Sequence, residues 1–158
     1  RGVTAPRAKQ RYIIQDCARE ARANNIPFGH FVDPFGDPVK RGFALFPGAL
    51  AHGKGMAFVG AYLSAAFAKG IDIDSENGLR QVIANAGLGW EAIQSHPDSD
   101  TWTQLLEDNV SAMLGAGLWG VPSFRIRSPG EPDFCCWGQD RIWRVEHELA
   151  RRSQPSTE

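Results

Sequence analysis

The chain has 158 residues, enough for one compact domain or one domain carrying an insertion. Apolar residues make up 42% and charged residues 22%, which excludes wholesale disorder. The net charge of -1, from 17 basic and 18 acidic residues, lacks the basic excess of a nucleic-acid surface, and no apolar run reaches the roughly 18–20 residues of a membrane span.

A polar start, broken by Pro6, leads into a helix expected over residues 8 to 24. Tyr12, Ile13, Cys17 and Ala21 recur there at helical spacing, and Asn24, Asn25 and Pro27 stop it. A loop rich in Pro, Gly and Phe covers 26 to 38. A second helix is expected over 39 to 52, kinked or divided by Pro47. A third, rich in alanine, spans 56 to 69 and closes on Gly70. Ser75 caps a fourth over 76 to 85, and a short turn of helix follows at 90 to 95.

Asp98 or Asp100 then caps the most regular helix. Its stripe is Trp102, Leu105, Leu106, Val110, Met113 and Leu114, and it ends near Gly115-Ala116-Gly117. From Val121 the period changes to that of a strand, with Phe124 and Ile126 on one side. Ser128-Pro129-Gly130 has the composition of a type II turn, and residues 133 to 137 return as a second strand. A last helix is expected over 139 to 151 with Ile142, Val145 and Leu149 facing inward. A lone hairpin is marginal in water, so this one needs further sheet from residues elsewhere or from another chain.

The three cysteines, Cys17, Cys135 and Cys136, form no C-x-x-C and no even framework. Neighbours on a strand point to opposite faces, so a Cys135–Cys136 disulfide is disfavoured. All three are expected as reduced, packed thiols of a cytoplasmic protein. His30, His52, His96 and His147 show no metal spacing, so no metal site is expected. Asp33, Asp37, Asp72 and Asp74 suit loops and caps, and Gly53-Lys54-Gly55 lacks the phosphate-loop frame. Trp90, Trp102 and Trp119 are expected in core packing, with an aromatic-substrate cavity as the alternative.

Strand, strand and helix in this order form the second half of a thioredoxin fold. Gly120-Val121-Pro122-Ser123-Phe124 resembles the cis-proline step of that fold, and Trp137-Gly138-Gln139-Asp140-Arg141 resembles a closing strand and helix start. Gly42-Phe43-Ala44, the run from Ala66 to Ile73, and Ala86-Gly87-Leu88 resemble an inserted helical domain. Lys9, Tyr12, Asp16 and Arg19, with Ile26-Pro27-Phe28 after them, match the stretch that precedes it. The set is similar to 2-hydroxychromene-2-carboxylate isomerases and kappa-class glutathione transferases, which share a DsbA-like thioredoxin fold.

The resemblance implies an α/β thioredoxin-like fold with a large helical insertion. It divides the chain into a connection over 1–38, an insertion over 39–117, a closing ββα over 118–152 and a tail over 153–158. The family's opening strand–helix–strand, with its catalytic serine or cysteines, has no counterpart before Lys9, so that portion is expected to be missing and no residue here is assigned as nucleophile. Glutathione is the implied cofactor. Val121 and Pro122 would pair with its peptide backbone, Gln139 and Asp140 would hold its γ-glutamyl end, and Lys9 would meet a carboxylate. Each has an ordinary alternative: a trans proline opening a strand, an acid stabilising its own helix, and a solvated lysine.

The implied activity is reversible thiol addition to a small aromatic-derived substrate in aromatic-compound catabolism. The implied partners are that substrate and a second copy in a homodimer, with neither nucleic acid nor membrane. Two further readings stay open: a thiol–disulfide oxidoreductase or kappa-type transferase of the same fold, and a non-catalytic binding module whose sheet a partner completes.

Overall fold

The computed structural model of the protein describes residues 5–32, 37–94 and 99–154. These divide into two compact units, Arg1–Thr103 and Gln104–Glu158. The elements are α1 (Arg7–Ala23), α2 (Asp37–Ala51), α3 (Gly55–Phe67), α4 (Glu76–Asn85), α5 (Trp90–Gln94), α6 (Ser99–Gly115), β1 (Ser123–Ile126), β2 (Phe134–Trp137), a 3₁₀ turn (Gln139–Arg141) and α7 (Ile142–Arg152).

The core of the first unit is built by α2, α3, α4 and α5. Ala49, Ala65 and Ala66 are fully enclosed, and such small side chains let helices approach closely. Phe58, Ile73, Leu79, Val82, Ile83 and Ile93 fill the space between them. Phe58 tilts against Phe46 and Tyr62, with ring centroids 6.3 and 5.9 Å apart. A Cβ at Gly42 would overlap the Tyr62 ring, so glycine there is what lets α2 and α3 meet. α2 runs unbroken through Pro47 instead of dividing. Proline removes only one helical donor, and packing of α2 on α3 and α5 outweighs that loss.

Capping chemistry sets the helix ends. The Ser75 hydroxyl accepts from Gly78 N–H at 3.0 Å and donates to Asp72 O at 2.7 Å, starting α4. Asp72 Oδ1 also accepts from Asp74 N–H at 3.0 Å, a loop role. The chain leaves α3 through Gly70 at φ +61°, which returns Ile71 N–H to Ala65 O. Nearby, His30 and Lys69 form an isolated parallel bridge, and Phe28 stacks on Phe31 at 6.1 Å. Asp33 and Asp98 lie outside the described residues, as do the side chains of Asp37 and Asp100.

In the second unit β1 and β2 pair antiparallel, Ser123 opposite Trp137 and Ile126 opposite Phe134. The turn between them has Glu131 N–H bonded to Ser128 O and Gly130 at φ +79°, the left-handed position a type II turn requires. Arg125 crosses to Asp133 with Nε 2.6 Å from the carboxylate.

Four expectations about burial need correction. Ile142 and Leu149 do not face a core: both are about half exposed, and α7 has no buried residue. Leu106, Val110 and Leu114 of the α6 stripe are exposed as well. Helical periodicity marks an apolar face, yet only neighbouring elements bury it, and none among the described residues covers these positions. Cys17 is exposed while Cys135 and Cys136 are half-buried, so the thiols are unpaired without being core residues. Trp119 is exposed, unlike Trp90, which packs against the core, and Trp102, which tilts on Phe43 at 6.2 Å.

A candidate tripeptide site at the start of the closing helix

The second unit carries four of the five residues singled out by sequence. Val121 stands 85% exposed immediately before β1, and its peptide bond to Pro122 is cis. Its main-chain N–H and C=O take no backbone hydrogen bond among the described residues. The Ser123 hydroxyl donates back to Gly120 O, which holds the bend that precedes the strand.

Gly138 joins this bend to the helix entrance. It is buried, adopts φ +106°, and its N–H donates to Pro122 O at 3.0 Å. That conformation is open to glycine and strained for other residues, which explains glycine between β2 and the next turn. A Cβ at this position would lie 2.5 Å from Asp140 Oδ1, so the Asp140 carboxylate folds back over the glycine.

Gln139 and Asp140 lie in the 3₁₀ turn that precedes α7, one turn earlier than the α-helix proper. Neither the turn nor α7 has a side-chain cap. Arg141 N–H bonds to Gly138 O and Ile142 N–H to Gln139 O, so among the described residues the N–H groups of Gln139 and Asp140 are the ones left to solvent or a ligand, in the potential that favours an anion. Asp140 is paired with Arg141, whose Nη1 donates to Oδ2 at 2.5 Å. Sequence reading missed this partner, although adjacent opposite charges in the 3₁₀ turn were its signal.

Lys9 belongs to the other unit, exposed on α1 beside no acidic residue of the first helical turn. The geometry thus brings Val121, Pro122, Gln139 and Asp140 together within one unit through one hydrogen bond.

Two features flank the site. Trp119 and Trp137 tilt together with ring centroids 5.8 Å apart. At the far end of α7, Arg151 and Arg152 grip Glu148, with N–O distances of 2.8 and 2.6 Å, and Arg151 also reaches Glu131 of the hairpin turn. Arg152 is almost fully enclosed and donates to Pro132 O at 2.8 Å. The hydrogen bonds from Arg151 and Arg152 hold the Glu148 carboxyl down at about 2. A depression of about 190 Å3 lies against Phe134, Trp143, Arg144, His147 and Glu148 and includes none of the four assembled residues.

A helical unit followed by a β-hairpin and a closing helix defines an α/β protein of thioredoxin-like type. A family profile described as DSBA-like thioredoxin domain matches residues 2–150, and the chain belongs to that family. A comparison with curated proteins gave no match. A comparison with solved structures gave none either.

Proposed function

We propose that this DSBA-like chain binds glutathione at the bend and helix entrance of its second unit, as part of a glutathione-dependent isomerase of the 2-hydroxychromene-2-carboxylate type. The observation that carries the reading is the Gly138 N–H to Pro122 O bond. It fixes an unpaired peptide edge beside an uncapped helix start, and a charged tripeptide needs both at once.

The residues fit the group. Val121 offers N–H and C=O to the cysteinyl backbone, as an added strand would. The N–H groups of Gln139 and Asp140 would meet its carboxylate, and the Asp140 side chain its ammonium. That ammonium has to share Asp140 with Arg141. Both partners are exposed, 70% for the aspartate and 47% for the arginine. Such a pair is worth about 0–1 kcal/mol, so the exchange is cheap. Bound glutathione supplies a thiol that adds reversibly to an unsaturated carbon of a small aromatic-derived substrate. The chain's own part is to hold and orient the tripeptide.

Isothermal titration of the whole chain with reduced glutathione tests this. Heat of binding at millimolar ligand is expected, with affinity about tenfold weaker in Asp140→Ala, the effect of about 1.4 kcal/mol from one lost charge-assisted contact. No heat at that concentration would remove the cofactor, and unchanged affinity in the variant would remove Asp140 from the site.

A further inference from the structure

We propose that the depression between β2 and α7 is a docking pocket for one aromatic side chain of a partner polypeptide, with an acidic residue beside it. Its lining includes neither Val121 nor Pro122, and it stands independently of the glutathione reading.

Size decides the kind of occupant. The depression holds about 190 Å3. Sites that enclose a small-molecule ligand run to about 300–1,000 Å3, so this one takes a single side chain and leaves the rest of its bearer outside. The walls decide which side chain. Phe134, the first residue of β2, and Trp143, 61% exposed on α7, bring two aromatic surfaces to it. A third ring matches them, and aromatic anchors seated in such pockets dominate the energy of protein interfaces.

Charge decides the neighbour. Four arginines of the second unit pair with carboxylates: Arg125 with Asp133, Arg141 with Asp140, and Arg151 and Arg152 with Glu148. Arg144 is exposed and forms no ion pair among the described residues; its guanidinium lies 5.7 Å from the centroid of the Trp143 ring. Glu148 is the acid in the lining, and both its oxygens are engaged. Oε1 accepts from Arg151 and Arg152 at 2.8 and 2.6 Å, and Oε2 accepts from Arg151 at 3.1 Å. A cation brought to the pocket therefore finds its carboxylate already taken, whereas an anion finds the Arg144 guanidinium. His147 completes the lining with an imidazole, a further hydrogen-bonding group.

Nuclear magnetic resonance of the isotopically labelled full chain tests this, with N-acetyl-Asp-Phe-amide, N-acetyl-Lys-Phe-amide and N-acetyl-Asp-Ala-amide as probes. The Asp-Phe probe is expected to move the Trp143 indole and His147 signals with millimolar affinity. Lys-Phe should bind about threefold more weakly, the scale of one exposed charge pair, and Asp-Ala should not saturate. Arg144→Gln should erase the preference between the two Phe probes, and Trp143→Ala should abolish the His147 shifts. Both side chains are exposed, so the circular dichroism of both variants should match that of the native chain. Equal affinity of Asp-Phe and Lys-Phe in the native chain, or saturation by Asp-Ala, overturns the proposal. Displacement of Asp-Phe by reduced glutathione would put the probe at the bend and refute the pocket. The same signals moving with protein concentration alone would assign this face to contact between copies and refute it as well.

Discussion

Replacing Gly78 by alanine should destabilise the first unit, against the ordinary rule for helices. Alanine is about 0.8–1.0 kcal/mol better than glycine inside a helix. Gly78, however, is in the first turn of α4, where its N–H donates to the capping Ser75 hydroxyl. An added Cβ would overlap Asp72 O and lie 2.7 Å from the Asp72 carbonyl carbon, which is backbone and cannot swing aside. The segment from Asp72 to Ser75 has to move away. That movement weakens the cap, worth about 1 kcal/mol, and the Ser75–Asp72 bond, worth about another. It also drags Ile73, 1% exposed, from its core position, adding about 1–3 kcal/mol of misfit. The costs exceed the helical gain by about 2–4 kcal/mol. For a chain of this size the midpoint of thermal unfolding should fall by roughly 4–16 °C. Circular dichroism followed through heating and through urea measures it, with Ser75→Ala as a milder companion. A midpoint equal to or above the native one would refute the close approach of Gly78 to Asp72.

Acid should weaken the grip at the end of α7. The Glu148 carboxyl is held down at about 2 from an ordinary 4.5, so its contribution is complete above 4.5 and is lost as pH falls through about 2. Urea midpoints measured across that interval should fall more steeply for the native chain than for Glu148→Gln; equal slopes would dismiss the network. Ile83→Ala removes a fully enclosed side chain and should cost about 2–5 kcal/mol in urea unfolding, whereas a cost under 1 kcal/mol would mean the core is looser than its burial indicates. Gly120→Ala should push Trp137 from its place and reduce the near-ultraviolet dichroism of the indole pair, and an unaltered spectrum would contradict the packing.

What could be read in the sequence was local chemistry. Ser75, Gly70 and the Ser128-Pro129-Gly130 turn each act on residues a few positions away, so the residue type nearly determines the geometry. The site was half legible for the same reason: Gly138, Gln139 and Asp140 are consecutive, and Val121-Pro122 is a recognisable pair. What joins them, Gly138 to Pro122, spans sixteen positions, the difference of the two residue numbers, and no local pattern announces it. Glycines at 42, 78 and 120 were equally opaque, since each is required by an atom of a distant or folded-back segment. The exposed faces of α6 and α7 failed in the opposite direction: periodicity gave the face correctly and carried no information on what lies over it.

The arginine grip has a consequence for motion. The last turn of a helix normally frays, because its carbonyls lack partners and little holds it. Here that turn is tied to Glu131 and Pro132, twenty positions earlier, so the segment between them is a closed loop with the Gly138–Arg141 stretch near its middle. Amide protons in the final turn of α7 should therefore exchange with solvent more slowly in the native chain than in Glu148→Gln, which releases that tie.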